Sequence, residues 1–400
     1  MNRKTAALLA VLALCAAVLC NALCMGREAA PTESAPAPTG SAPAEQTEMR
    51  AVWLTYAEIG ELASGRDEAA FREQAAAAVA KLADCRINTV FFHVRAFSDA
   101  LYTSALFPRS QALAGAAYDP LALFIEAASA EQIAVHAWVN PLRVASSGTP
   151  GDLPPDHPAA RLWAESPDAL IVSRGLWYNP ADDGVRALIL DGVCELLDGY
   201  GVAGVHFDDY FYPGQDFDDD AAQFAAYRTA GGTLSRAEWR AANLTALVAS
   251  VHEETRRRGK TFSVSPAGNI ERCLAEGGAD VRAWAQQGIV DLLIPQLYYG
   301  FENETTPFSA ARRAWEELGR DTGVPLVCGL AVYKCGALDK YAGSGAREWL
   351  ENSDILARQA AELRASEQWR GFALFSYDWA FGEKTSDIAK KELKNLAFVI

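Results

Sequence analysis

The chain has 400 residues, half of them hydrophobic, and a formal net charge of −15. That is enough apolar material for one large core. The acidic balance argues against nucleic acid and against docking on an anionic membrane, since both select a basic face.

The start of the chain reads as an export signal. Arg3 and Lys4 precede an apolar run from Ala6 to Cys20 that is too short for an ordinary membrane span. Residues 1–24 are therefore expected to be a signal peptide. Cys20 follows Ala-Val-Leu and Cys24 follows Asn-Ala-Leu, both imperfect matches to the lipoprotein processing pattern, so a lipid anchor stays open beside simple cleavage. Residues 25–48, rich in Ala, Pro, Thr and Ser without periodicity, read as a disordered linker, and residues 49–400 as one folded domain. Cys85, Cys194, Cys273, Cys328 and Cys335 form no CxxC pair, so neither a disulfide framework nor a zinc cluster is indicated, and Cys85, Cys194 and Cys328, in helix and strand patterns, are expected as small buried hydrophobes.

Eight short apolar runs follow, at residues 49–55, 88–95, 133–139, 202–208, 261–265, 289–296, 325–331 and 371–377. Helical patterns separate them, at 66–84, after Asp119-Pro120, at 184–200, 235–258, 280–287, 308–320 and 354–364, with a last one from Thr385. Ser235 and Glu238 have the spacing of a reciprocal helix cap. Residues 145–182 read as a long irregular segment, and such loops in compact domains are usually functional. Asp216, Asp218, Asp219 and Asp220 lack the pattern of a calcium loop and read as a solvated turn. Strands alternating with helices at this spacing predict an α/β fold, a (β/α)8 TIM barrel. The open-sheet competitor lacks support, because no Gly-x-Gly-x-x-Gly or phosphate loop is present.

Polar residues gather where the apolar runs end. Arg95, Asn140 with Arg143, Asp208 with Asp209, Asn269 with Glu271, Gln296 with Tyr298, and Asp378 mark six exits, the end at which barrel enzymes place their sites. The stretch GVHFDDYFYP from Gly204 to Pro213 is the strongest of these. Strand alternation points Val205 and Phe207 one way and His206 and Asp208 the other. An apolar strand ending in paired carboxylates and an aromatic loop suits glycosidic cleavage, in which one carboxylic acid protonates the leaving oxygen while a second attacks or activates water. Asp208 is expected to be the acid, with Asp209 orienting it or raising its pKa. Glu271 and Asp378 are the candidates to face it. An ion pair with Arg272 or another base is the bland reading of Glu271, and a loop cap that of Asp378. A gap of about 5–5.5 Å between the two carboxylates would indicate retention and about 6.5–9.5 Å inversion. His206, Tyr212, Tyr298, Trp177 and Trp379 join Arg95, Asn140, Arg143 and Gln296 as candidate substrate-binding residues, since aromatic faces pack against sugar rings. Trp53 and Trp138 are expected in the core. His93, His136 and His206 lie on neighbouring strands, which raises a metal cluster, but two of them sit below the exits where barrels bury hydrogen-bonded histidines. Neither a metal nor a cofactor is expected.

Several blocks together resemble the family-10-like glycosyl hydrolase-like proteins, exported bacterial barrels: RAVWLT at 50–55, NTVFFHVRAFSDALYTS at 88–104, DPLALFIEAA at 119–128, VHAWVNPLRV at 135–144, GVHFDDYFYP, WRAANLTALV at 239–248, SPAG at 265–268 and VDLLIPQLYY at 290–299. The resemblance implies a (β/α)8 barrel acting on a β-linked polysaccharide at the cell envelope, and some relatives are similar to enzymes that cut peptidoglycan glycan strands lacking stem peptides. It places the family's acid at Asp208 or Asp209 and its mouth residues at Arg95, Asn140, Arg143 and Gln296. The chain departs from the family where Ala267 to Arg272 replace an aromatic and a Trp-Arg pair, and where Ala181 stands for a glycine. The expectation is thus a monomeric exported hydrolase of glycosidic bonds. The alternative is a non-catalytic carbohydrate-binding barrel, and an amidase or deacetylase would need a metal near the three histidines.

Overall fold

The computed structural model describes residues 48–399. The expected signal peptide, the linker, and Cys15, Cys20 and Cys24 lie outside the described residues. Eight strands, β1 (Met49–Leu54), β2 (Thr89–Arg95), β3 (Ala134–Val139), β4 (Gly204–Phe207), β5 (Thr261–Val264), β6 (Leu292–Leu293), β7 (Leu326–Ala331) and β8 (Trp369–Phe375), pair in parallel and in chain order. β8 returns to β1, with Met49 opposite Gly371, and closes the barrel. β6 is only two residues long, and bridges from Gln296 to Ala267 and to Gly329 extend its pairing at the mouth end. The expected TIM-barrel architecture is present.

The strands are apolar on both faces because both are covered. Ala51, Trp53, Phe91, Trp138, Leu292, Ile294, Val327 and Ala373 fill the barrel interior as one cluster. Val205, Phe207, Phe262 and Val264 belong to the larger cluster under the helices. Parity therefore leaves His206 and Asp208 on the interior side of β4.

One strand breaks its alternation. The β2–β3 register slips between His93, opposite Trp138, and Arg95, opposite Val139. An extra residue at that point turns the chain end. Val94 packs in the outer cluster, and Arg95 lies beside it with its guanidinium over the Phe107 ring at 4.3 Å.

The segment read as irregular is ordered. Arg143–Ala145, Leu170–Val172 and Leu176–Tyr178 form a three-stranded antiparallel sheet, and Pro158–Glu165 is a helix. Strands of three residues are too short to show alternation in a sequence. A helix at Tyr56–Ala63 also follows β1, capped reciprocally by Thr55 and Glu58. The acidic run is not simply a solvated turn. Asp220 is fully buried and binds Arg240 at 2.6 Å, with Arg236 as a second partner. Cys328 is buried as expected, as are Cys273 and Cys335, but Cys85 is exposed and Cys194 half-buried, against expectation. Among the described residues, no helix is long and apolar enough to cross a membrane.

Candidate active site

The C-terminal ends of the strands surround a cavity of about 480 Å³. Half of its lining is aromatic, with Trp53, Tyr56, Trp138, Tyr210, Tyr298, Tyr333, Phe375 and Trp379. The other half of the lining is polar: Thr55, His93, Asn140, Arg143, Asp208, Asp209, Ser265 and Gln296. Beyond Asp209 and Tyr210, which line both spaces, a second cavity of about 650 Å³ holds Arg174, Trp177, Tyr212 and Arg272.

Buried ring nitrogens set the floor. Trp53 is buried and its indole N–H needs an acceptor. It donates to His206 Nε2 at 3.1 Å. That fixes the tautomer, so His206 Nδ1–H donates to Ser263 Oγ at 2.8 Å. Burial, then the neighbouring His136 and His93, hold His206 well below its ordinary pKa, so the pair of bonds is made by a neutral ring. Burial likewise lowers His93 to about 3 and His136 to about 4.

One level up, His93 stacks on Trp138 with centroids 3.6 Å apart and planes 9° from parallel. His93 Nε2 lies 3.0 Å from Asn140 Oδ1, and Asn140 Nδ2 donates to the Ala96 carbonyl. The clamped indole donates to Asp208 Oδ2 at 3.0 Å. The Tyr210 backbone N–H donates to Asp208 Oδ1, also at 3.0 Å. Asp208 is 3% exposed. Burial, then repulsion from Asp209, raise its pKa well above the ordinary carboxylate value. Asp209 faces the open cavity, yet protein surrounds that cavity on its other sides. Burial raises its pKa too, against a hydrogen bond from Gln296. The two neighbouring carboxyls titrate as a pair, both held above the ordinary carboxylate range. The N–H donors on both oxygens of Asp208 favour its ionised form and fix its direction, but burial and Asp209 outweigh them.

Arg143 sits between two rings, 4.6 Å from Phe97 and 4.5 Å from Tyr210, and lines the mouth next to Asp208. Trp177 stacks on the other side of Tyr210 at 6.2 Å. Tyr298 packs on Tyr333 and Phe375. Its phenol is raised far above its ordinary pKa by burial first and by Tyr333, Asp209 and Asp208 after it, so it stays protonated.

The structure brings together Asn140, Arg143, Asp208, Asp209, Gln296, Tyr298 and Trp379 at the mouth. Trp177 and Tyr212 line the second cavity instead. His206 lies beneath the floor, held by Trp53 and Ser263. Arg95 is not at the mouth, because the register slip after His93 turns it to the helix side against Gly192. Neither carboxylate expected to face Asp208 lines the mouth. Glu271 is 81% exposed on the helix Ile270–Gly277 and pairs with Arg282 at 2.8 Å, the loop ion pair, though with a different base from Arg272. Asp378 accepts from the Glu383 N–H at 2.7 Å and pairs with Lys384 at 2.8 Å, the loop cap. Burial pushes its pKa up, but the bonds from Lys384 and Glu383 outweigh this and hold it below the ordinary value.

Sequence reasoning missed Tyr56, Tyr333, Phe375 and Glu58. Glu58 is a buried clamp whose carboxylate accepts from Ser376 Oγ at 2.6 Å and from the backbone N–H groups of Asp378 and Thr55 at 2.7 Å. Its signal was the Thr55-x-x-Glu58 capping spacing directly after the first strand. Among the described residues, no group of three or more His, Cys, Asp or Glu stands where it could hold a metal ion.

The family model described as glycosyl hydrolase-like 10 matches residues 48–343. The chain is 30% identical over 329 residues to glycosyl hydrolase DigH of Escherichia coli strain K12, covering 73% of this chain and 72% of that protein. It is 31% identical over 279 residues to glycosyl hydrolase YngK of Bacillus subtilis strain 168, covering 62% and 53%. Among solved structures, the PgaB (BpsB) glycoside hydrolase domain from Bordetella bronchiseptica matches with a TM-score of 0.57 at 11% identity, over 88% of this chain and 99% of that one. At that identity the likeness concerns the barrel alone.

Proposed function

The chain belongs to the glycosyl hydrolase-like 10 family, and from that premise we propose that it hydrolyses O-glycosidic bonds in a β-linked polysaccharide of the cell envelope. The substrate we assign is the glycan strand of peptidoglycan stripped of its stem peptides, met by an exported, monomeric protein. The observation that carries the reading is the Asp208–Asp209 pair, both carboxyls raised above the ordinary range by burial, at the fourth strand exit of an aromatic-walled mouth. A carboxyl whose pKa is raised is what a general acid for a leaving sugar oxygen needs near neutral pH. The aromatic walls offer stacking faces for sugar rings. The second cavity continues past Asp209 and Tyr210, which suits a polymer running through the site and not a single sugar.

The test is direct. The domain from Thr47 onward is incubated with glycan strands carrying and lacking stem peptides, and the products are read by mass spectrometry. New reducing ends from the stripped strands, lost in Asp208→Asn and Asp209→Asn, support the reading. A second reading, a binding barrel without turnover, draws on one observation: among the described residues lining the mouth, Asp208 and Asp209 are the sole carboxylates. Binding with no new reducing ends, on these strands and on a panel of other β-glycans, would select it.

A further inference from the structure

A two-carboxylate glycosidase needs acids on both sides of the scissile bond. Here the two mouth carboxylates are chain neighbours at one strand exit. The other candidates nearby are occupied. Both oxygens of Glu58 accept hydrogen bonds that tie β1 to the turn after β8. Asp378 is held by Lys384 and Glu383. Glu271 stands out in solvent with Arg282. If the protein is a hydrolase, the nucleophile must come from water without a facing base or from the substrate itself.

We infer that the substrate supplies it: the 2-acetamido group of an N-acetylated amino sugar attacks, Asp208 orients that group, and Asp209 is the acid and then the base. This rests on the hydrolase reading and names its substrate class. The division of roles follows from the surroundings of each carboxylate, and it reverses the expectation that Asp208 is the acid. Asp208 is buried, with one N–H donor on each oxygen and the Arg143 cation nearby. Such a carboxyl is fixed in direction, and its remaining lone pairs can accept an amide N–H. Asp209 opens to both cavities, so it can reach the oxygen that joins the sugars on either side. Tyr298, its phenol held protonated by burial, lines the same mouth.

The steps balance. The acetamido carbonyl oxygen bonds to C1 with its lone pair. The bond from C1 to the bridging oxygen breaks, its electron pair stays on that oxygen, and the oxygen takes the proton of Asp209. The ring so formed is an oxazolinium whose N–H is hydrogen-bonded to the Asp208 carboxylate. Water then gives a proton to Asp209 and bonds to C1, and the pair in the C1–O bond of the oxazolinium returns to the amide. Two displacements at C1 leave its configuration retained.

The experiment compares glycan strands with the same strands after chemical removal of the N-acetyl groups, and with strands re-acetylated afterwards. The expected result is that kcat falls about 100-fold or more on the de-acetylated strands, is restored by re-acetylation, and falls similarly in Asp208→Asn. The first product seen by proton NMR has the β configuration. Equal kcat on both polymers, a loss confined to KM, an α product, or a trapped glycosyl-enzyme ester would each overturn the inference while leaving a hydrolase. If neither polymer is cut, the hydrolase reading fails and this inference with it. Circular dichroism of Asp208→Asn separates loss of the orienting group from loss of fold, and the wild-type comparison of polymers needs no variant at all.

Discussion

Trp138→Phe probes how the barrel holds Asp208. Phenylalanine keeps a ring against His93 but removes the indole N–H that donates to Asp208 Oδ2 at 3.0 Å. A hydrogen bond to a charged group contributes about 1.5–3 kcal/mol. Since one pKa unit corresponds to about 1.4 kcal/mol, the loss is expected to raise the Asp208 pKa by about one to two units. The sign follows from which form the donor favours: an N–H stabilises the carboxylate, so its removal makes protonation easier. Activity that needs ionised Asp208 is lost as pH falls through that pKa. The acid limb of the kcat/KM profile on glycan strands therefore moves to higher pH by the same one to two units. The profile narrows from one side. An unmoved acid limb in a variant that melts like the wild type would refute the reasoning, because the indole would then have no electrostatic hold on Asp208.

Tyr210→Ala removes the ring that faces both Arg143 and Trp177 and separates the two cavities. It is expected to raise KM for glycan strands roughly tenfold, as loss of about 1–1.5 kcal/mol of aromatic contact would, with kcat less affected. Glu271→Ala should change neither kcat nor stability, since an exposed ion pair contributes about 0–1 kcal/mol; a large fall in kcat would return Glu271 to the reaction. Arg240→Ala leaves the buried Asp220 with Arg236 alone, and a loss approaching the roughly 3–5 kcal/mol of a broken buried pair is expected in denaturant melting. Arg240→Lys recovers little of this, because Arg240 also donates to the Gln215 and Phe217 carbonyls from its planar fork.

The barrel was legible because its strands are local objects. An apolar run of five to eight residues between helical patterns can be read without knowing its partner, and eight such runs in alternation leave few ways to cover both faces. The parity of β4 was equally local, which is why His206 and Asp208 emerged on one side. Asp208 and Asp209 could be found because their neighbours in sequence are also their neighbours in space. Other errors came from elements with weak local signals. The three-residue strands around Arg174 and Gly175 carry no period, and the helix after β1 announces itself only by Thr55 and Glu58.

What the sequence alone determined is therefore the barrel, its order of strands and the acid pair at the exit of the fourth. What tertiary structure decided is which distant side chains share the mouth. Arg95 ends a strand like any other exit residue until pairing with β3 slips by one position and turns it outward. Glu271 and Asp378 sit at the correct strand ends, yet Arg282 in one case and Lys384 with the Glu383 N–H in the other hold them elsewhere. A carboxylate's direction depends on the donors that surround it, and those donors come from parts of the chain whose meeting is settled only when the barrel closes.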